Sequence, residues 1–166
     1  MSAGKNSTAA DTSDREILIT RLINAPRVLV FEAWTDPRHV DHWMGPTGFA
    51  TTTKSMDVKP GGVWRFVMSS ASYGDFPNKV VYLEVVKPER LVYLHGADTE
   101  AMDDAMHVTV TFEDLGDKTH VTMRSVFKTA AHRDQVVREY KAIEGGYQTQ
   151  ERLENYLATL RPRADK

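Results

Sequence analysis

Glu84 stands inside an apolar run, Tyr82-Leu83-Glu84-Val85-Val86, and its chemistry depends on which side of a strand it takes. Facing inward, the carboxylate would lose water and its neutral form would gain, so that it could give or take protons at a cavity, with Tyr82 and Tyr93 as phenolic candidates. Facing outward, it would be a strand-surface carboxylate paired with Arg or Lys on a neighbouring strand, which is where single charges in strands usually go. Arg65, between Trp64 and Phe66, poses the same choice. Its parity puts it outside, where Glu84 is one partner; inside, its guanidinium would clamp a ligand carboxylate as a bidentate fork.

His39 and His42 are three apart, a spacing that presents two imidazoles on one side of a short helix. The chain has no cysteine, no HExxH motif and no evident third ligand beside them, so no metal site is expected. His95, His107, His120 and His132 fall at strand ends, on polar parities or before the last helix, and spacing indicates a partner for none of them. There is no nucleophile elbow, no glycine-rich phosphate loop and no paired-carboxylate signature, so Gly61-Gly62 reads as a turn and no cofactor is expected. A reaction is neither named nor excluded, because a shaped cavity with one or two proton-transfer groups is enough for some acid–base chemistry.

These residues are carried by elements that the apolar spacing makes legible. A first strand is expected over 15–24 and two short helices over 26–36 and 37–43. Six strands should follow at 49–58, 63–70, 80–86, 90–95, 106–113 and 120–128, then one helix at 131–160. Tight turns are expected at 59–62, 87–89 and 115–118, and longer loops at 71–78 and 96–105. In the sixth strand Met106, Val108, Val110 and Phe112 share one side and His107, Thr109, Thr111 and Glu113 the other. In the third strand Trp64, Phe66 and Met68 are placed inward, because leaving aromatic area in water costs roughly 25 cal/mol per Å². The last helix aligns Val136, Tyr140, Ile143, Tyr147, Gln150, Leu153, Leu157 and Leu160 in one stripe. Gly145-Gly146 within it costs about 1 kcal/mol per glycine relative to alanine. Close packing against the sheet is one explanation, and room for a ligand is the other.

At 166 residues the chain suits one α+β domain over 15–160, with a polar tail at 1–14 and a short one at 161–166. A net charge of −2 lacks the basic excess that nucleic acid requires. No stretch approaches the roughly 20 apolar residues of a membrane span, and the opening residues lack a secretory apolar core, so a cytoplasmic protein without a membrane partner is expected.

Several short runs, in order, resemble one family: Ala25-Pro26 through Trp34-Thr35-Asp36-Pro37, His42-Trp43-Met44-Gly45-Pro46, Met56 through Phe66, Tyr82-Leu83-Glu84-Val85 with Pro88-Glu89-Arg90-Leu91-Val92, and Gly146-Tyr147 to Leu153. They are similar to bacterial homologues of the activator of the heat-shock-protein-90 ATPase, within the START-like superfamily that also holds polyketide cyclases and pollen-allergen proteins. The resemblance implies the helix-grip fold: a curved antiparallel sheet of about seven strands in β-α-α-β6-α order around a long carboxy-terminal helix. The eukaryotic activator has an additional amino-terminal domain, and only 14 tail-like residues precede the first strand here, which argues against a chaperone partner.

In that fold a cavity would lie between the concave sheet and the last helix, mostly apolar with a few polar groups to orient a guest. Its expected lining is Trp34, Trp43, Phe49, Trp64, Phe66, Met68, Tyr82, Tyr93, Val108, Met123, Gly146, Tyr147 and Gln150; the alternative for most of them is a place in the core. The first functional expectation is a protein that binds a small hydrophobic or aromatic molecule. A second is a cyclase, dehydratase or hydrolase of a polyketide-like or aromatic substrate, with Glu84, Tyr82 or Tyr93 moving protons. A third is an interaction protein, a chaperone-associated regulator or a homodimer through a sheet face.

Overall fold

Alternation in Glu16–Ile23 (β1) turns Ile17, Ile19 and Ile23 inward and Leu18 and Leu22 to solvent. Pro26 then leads into Arg27–Thr35 (α1), and Asp36 caps Pro37–Val40 (α2) by accepting from the Arg38 amide at 2.8 Å. Six strands follow: Ala50–Met56 (β2), Val63–Ser70 (β3), Gly74–Val86 (β4), Arg90–Ala97 (β5), Met106–Asp114 (β6) and Thr119–Val126 (β7). Two helices, Ala130–Tyr140 (α3) and Ala142–Leu160 (α4), close the chain. The computed structural model describes residues 11–160. Of the expected tails, 1–10 and 161–166 lie outside the described residues, whereas Ser13–Arg15 forms a 3-10 turn.

All seven strands form one antiparallel sheet in the order β1-β7-β6-β5-β4-β3-β2. Consecutive strands from β2 to β7 are neighbours, a meander, and β1 returns to the far edge beside β7. The architecture is therefore the α+β helix-grip arrangement that the element order implies. Among the described residues no helix is long and apolar enough to cross a membrane.

Two elements differ from expectation. The segment expected as a single helix over 131–160 breaks at Lys141, whose backbone is left-handed (φ 52°, ψ 50°). The apolar stripe is interrupted there, and Tyr140 and Tyr147 are exposed while Gln150, Leu153 and Leu157 are buried. The loop expected at 71–78 is largely strand, because β4 begins at Gly74 and contains Pro77. In a strand a residue's amide and carbonyl point the same way, and the Pro77 carbonyl accepts from the Asp98 amide at 3.2 Å, beyond the last β5 pairing at Asn78–Ala97. The missing N–H therefore falls where the ladder has already ended.

The core fills the space under α1 and α4. Trp34 meets Trp43 at 4.8 Å and Phe112 at 5.5 Å between ring centres, both edge-on, and Trp64 stacks on Phe66 at 3.9 Å. At Gly146 a Cβ would lie 2.9 Å from Ile19 Cγ1 in β1, so the glycine serves close helix–sheet approach. Arg21 and Glu154 fasten the same contact with a 2.8 Å ion pair.

Candidate functional site

The break at Lys141 leaves α3 as a separate roof over one end of the sheet. His132, Gln135, Val136 and Tyr140, spaced three and four apart, share one face of α3 and border an open cleft of about 550 Å³. The opposite wall comes from Pro46 and Phe49 in the loop before β2, Met68 in β3, Tyr73 in the β3–β4 turn, and Phe76 and Asn78 in β4; Asp104 completes the rim. Phe49 stacks on Tyr73 at 5.9 Å and inclines toward Phe76 at 6.2 Å. Met68 and Phe76 are register partners across β3 and β4. One end of the cleft is therefore an aromatic and thioether wall.

The other end is polar. A recess of about 220 Å³ continues past Asn78, Asp104, His132 and Val136 to His95, Gly96, Ala97, Met106 and Phe127. Asn78 Nδ2 donates to the Phe76 carbonyl at 2.7 Å, which turns Oδ1 toward His95 Nε2 at 2.9 Å. Oδ1 can only accept, so Nε2 carries the imidazole proton and Nδ1 keeps its lone pair. Burial pushes His95 down to about 4, against a smaller upward pull from Asp104, and the ring is neutral at pH 7. Among the described residues only Trp34 Nε1 and Gln150 Oε1 are sealed side-chain polar atoms without a hydrogen bond. His95 lines the recess, and among the described residues no hydrogen bond reaches its Nδ1. The Asp104 carboxylate likewise takes no hydrogen bond or ion pair among the described residues. Its loop is fixed by buried Met102 and Ala105 and by Thr99 Oγ1, which accepts from the Met102 amide at 3.0 Å.

Arg152, on α4, positions the aromatic wall without touching the cleft. Its Nη1 donates to the carbonyls of Gly45, Pro46 and Phe49 at 2.7, 3.0 and 3.1 Å, tying down the loop that carries Pro46 and Phe49. Replacing it with Met keeps much of the aliphatic bulk but leaves three carbonyls without this donor, at about 1 kcal/mol net for a typical hydrogen bond and more for a charged one. Arg152→Met should cost about 2 kcal/mol of stability and broaden the amide NMR signals of Gly45, Thr47, Gly48 and Phe49. Wild-type signals in that loop would show that the clamp does not hold it.

Of the residues expected to line a cavity, Phe49 and Met68 border the cleft. Trp34, Trp43, Trp64, Phe66, Tyr82, Tyr93 and Val108 are buried members of the core, and Met123 packs against it. Gly146 lies against Ile19, Tyr147 faces solvent and Gln150 is buried under α4. The period-two parity assigned insides correctly, yet aromatics that face inward here fill volume rather than frame it.

The proton-transfer candidates are elsewhere. Glu84 takes Arg90 Nε at 2.8 Å and Nη2 at 3.2 Å on the exposed side of the sheet, and that hydrogen bonding holds its carboxyl below the usual range. Strict alternation from buried Tyr82 would have put Glu84 inside; the register shift between Tyr82 and Glu84 turns it out. Arg65 is also outside, paired with Asp98 at 3.3 Å rather than with Glu84. Tyr82 and Tyr93 meet edge-on at 6.0 Å, and burial raises both phenols far above their ordinary value, with Tyr93 adding to the rise at Tyr82. The Trp34 indole beside Tyr93 offsets a little of that rise but completes no hydrogen bond. His39 Nδ1 is bonded to the Tyr156 hydroxyl at 2.6 Å and His42 stacks on the same ring. Among the described residues no three His, Asp or Glu side chains gather as a metal site.

The lining residues outside the expected set are Pro46, Tyr73, Phe76, Asn78, Asp104, His132, Gln135, Val136 and Tyr140 in the cleft, with His95, Gly96, Ala97, Met106 and Phe127 added in the recess. Position at a strand end is the one signal that marked His95, and the Asn78 pairing spans 17 residues.

The profile of the Activator of Hsp90 ATPase homolog 1-like protein family matches residues 24–158. No curated protein matches. Solved structures do. One is a protein of Nitrosomonas europaea, 22% identical, with a TM-score of 0.79 over 91% of this chain and 98% of that one. Another is a protein of Mycobacterium smegmatis, 21% identical, with a TM-score of 0.81 over 92% and 97%. DynU16, from the dynemicin biosynthetic locus, is 19% identical with a TM-score of 0.63, covering 92% of this chain and 49% of its own. At these identities the likeness is one of fold.

Proposed function

The chain belongs to the Activator of Hsp90 ATPase homolog 1-like family, and from that premise we propose that it binds a small hydrophobic or aromatic molecule in the cleft between α3 and the β3–β5 end of the sheet. The observation that carries this reading is the unfilled volume itself. About 550 Å³ remains open against Phe49, Met68, Tyr73 and Phe76, beside a core packed with tryptophan and tyrosine. Sites for drug-sized ligands span roughly 300–1,000 Å³ with an apolar wall and a few polar groups, and Asn78, His95, Asp104 and Gln135 are such groups here. Apolar wall left in water costs roughly 25 cal/mol per Å², a cost that a bound guest removes.

The experiment is displacement of anilinonaphthalene sulfonate by a panel of fatty acids and bicyclic aromatics, followed by amide NMR with the best competitor. Saturable displacement is expected, with shifts at Phe76, Asn78, His95 and Val136. Absence of saturable binding across the panel, or shifts confined to the outer sheet face, would overturn the reading.

A further inference from the structure

We infer that the cleft selects an aromatic amine: a flat apolar body against the Phe49–Tyr73–Phe76 wall, and a protonated amine head at the Asp104–His95 end. The inference rests on the ligand-binding reading and adds the chemistry of the head. No lysine or arginine lines either the cleft or the recess, and Asp104 is the one acidic side chain there. The nearby Lys128 ammonium is turned to the Asp103 carbonyl, outside the lining. Asp104 accepts nothing from the protein among the described residues, and His95 offers a lone pair at Nδ1 because Asn78 fixes the proton on Nε2.

A head group in the recess therefore meets two acceptors, Asp104 and His95 Nδ1, with the His132 imidazole beside them and no lysine or arginine. An ammonium satisfies both and gains the charge attraction of Asp104. A carboxylate meets a like charge and a lone pair, and it leaves its own lone pairs unmatched. Asp104 is exposed and its field is screened, so the discrimination expected is about 10-fold rather than many thousand-fold. The aromatic faces add to the preference wherever the cation rides above a ring.

The test compares naphthylethylamine, naphthylethanol and naphthylacetate, which share one apolar body, by titration calorimetry at pH 8 and low salt, above the ordinary imidazole range. The amine should bind about 10-fold more tightly than the acetate, with the alcohol between them. Asp104→Asn should bring amine and acetate to within about 3-fold, and His95→Gln, which keeps a donor toward Asn78 but moves the acceptor off the Nδ1 position, should weaken the alcohol. Acetate binding as tightly as amine, or a ratio unchanged in Asp104→Asn, overturns the amine inference while leaving a ligand site. Failure of all three to saturate the protein overturns the site as well.

Discussion

Gly62→Ala should lose about 3 kcal/mol of stability or more, the largest effect expected from a Cβ added at any described glycine. A Cβ at this position would sit 2.0 Å from the Asp57 carbonyl oxygen and 3.0 Å from the Lys59 carbonyl oxygen. Both obstacles are backbone, so no side-chain rotation relieves them. The turn cannot simply widen, because the Gly62 amide donates to Lys59 at 2.7 Å and the Asp57 amide to Val63 at 3.0 Å. The same turn is stitched to β4, where Gly61 donates to the Tyr82 carbonyl at 2.7 Å and Tyr82 donates back to Gly62 at 3.0 Å. Relief of the clash therefore pulls on the strand that holds Tyr82 in the core. Against a total stability of about 5–15 kcal/mol, such a loss is a large share. Gly145→Ala is the control, since its Cβ would meet only the Pro46 ring, at 3.4 Å from Cβ and 3.7 Å from Cγ, and alanine favours helix by about 1 kcal/mol. In chemical denaturation the midpoint should fall sharply for Gly62→Ala and stay within about 1 kcal/mol of wild type for Gly145→Ala. Equal midpoints for the two variants would show that the turn is not as tight as its backbone distances.

The Gly61-Gly62 turn was legible because local chemistry determines it. So were the succession of strands along the chain, the inward sides of β3 and β6, and the two short helices, each of which depends on spacing within about ten residues. What escaped is set by longer reach or by a single exception to a period. Pro77 reads as a strand breaker, and only the position where β5 ends shows why β4 runs through it. Lys141 carries no breaker chemistry of its own, yet its left-handed backbone separates α3 from α4 and so makes the cleft. One bulge reverses the side of Glu84. The aromatic parities were right about inside and outside, but periodicity holds no information on whether an inward ring meets another ring or open space. That depends on three-dimensional volume. For the same reason the polar end went unread: Asn78 is held at the cleft wall through His95 and the Phe76 carbonyl, a relation that no window of sequence displays.

His95 should make the fold lose stability in acid above the range where carboxylates act. In the unfolded chain its imidazole titrates near 6.5, whereas burial in the folded protein lowers it to about 4. Between those values the unfolded state binds a proton that the folded state refuses, so the free energy of unfolding falls as the pH drops from about 7 to about 4 and levels off below. At 1.36 kcal/mol per pH unit the loss amounts to about 3 kcal/mol at most. Glu16, Asp36 and Glu84, whose carboxyls are held low by hydrogen bonds from Arg124, Arg38 and Arg90, lose stability in the same direction but in a lower window. His95→Gln separates the two contributions: glutamine can still donate to Asn78 Oδ1, and it cannot titrate. Denaturant midpoints measured from pH 7 to pH 4 should decline steeply in the wild type and much less in the variant, so that curves aligned at pH 7 separate as the pH falls toward 4. Parallel curves would mean that the ring takes its proton as readily in the fold as in water, so that burial does not hold it neutral in mild acid.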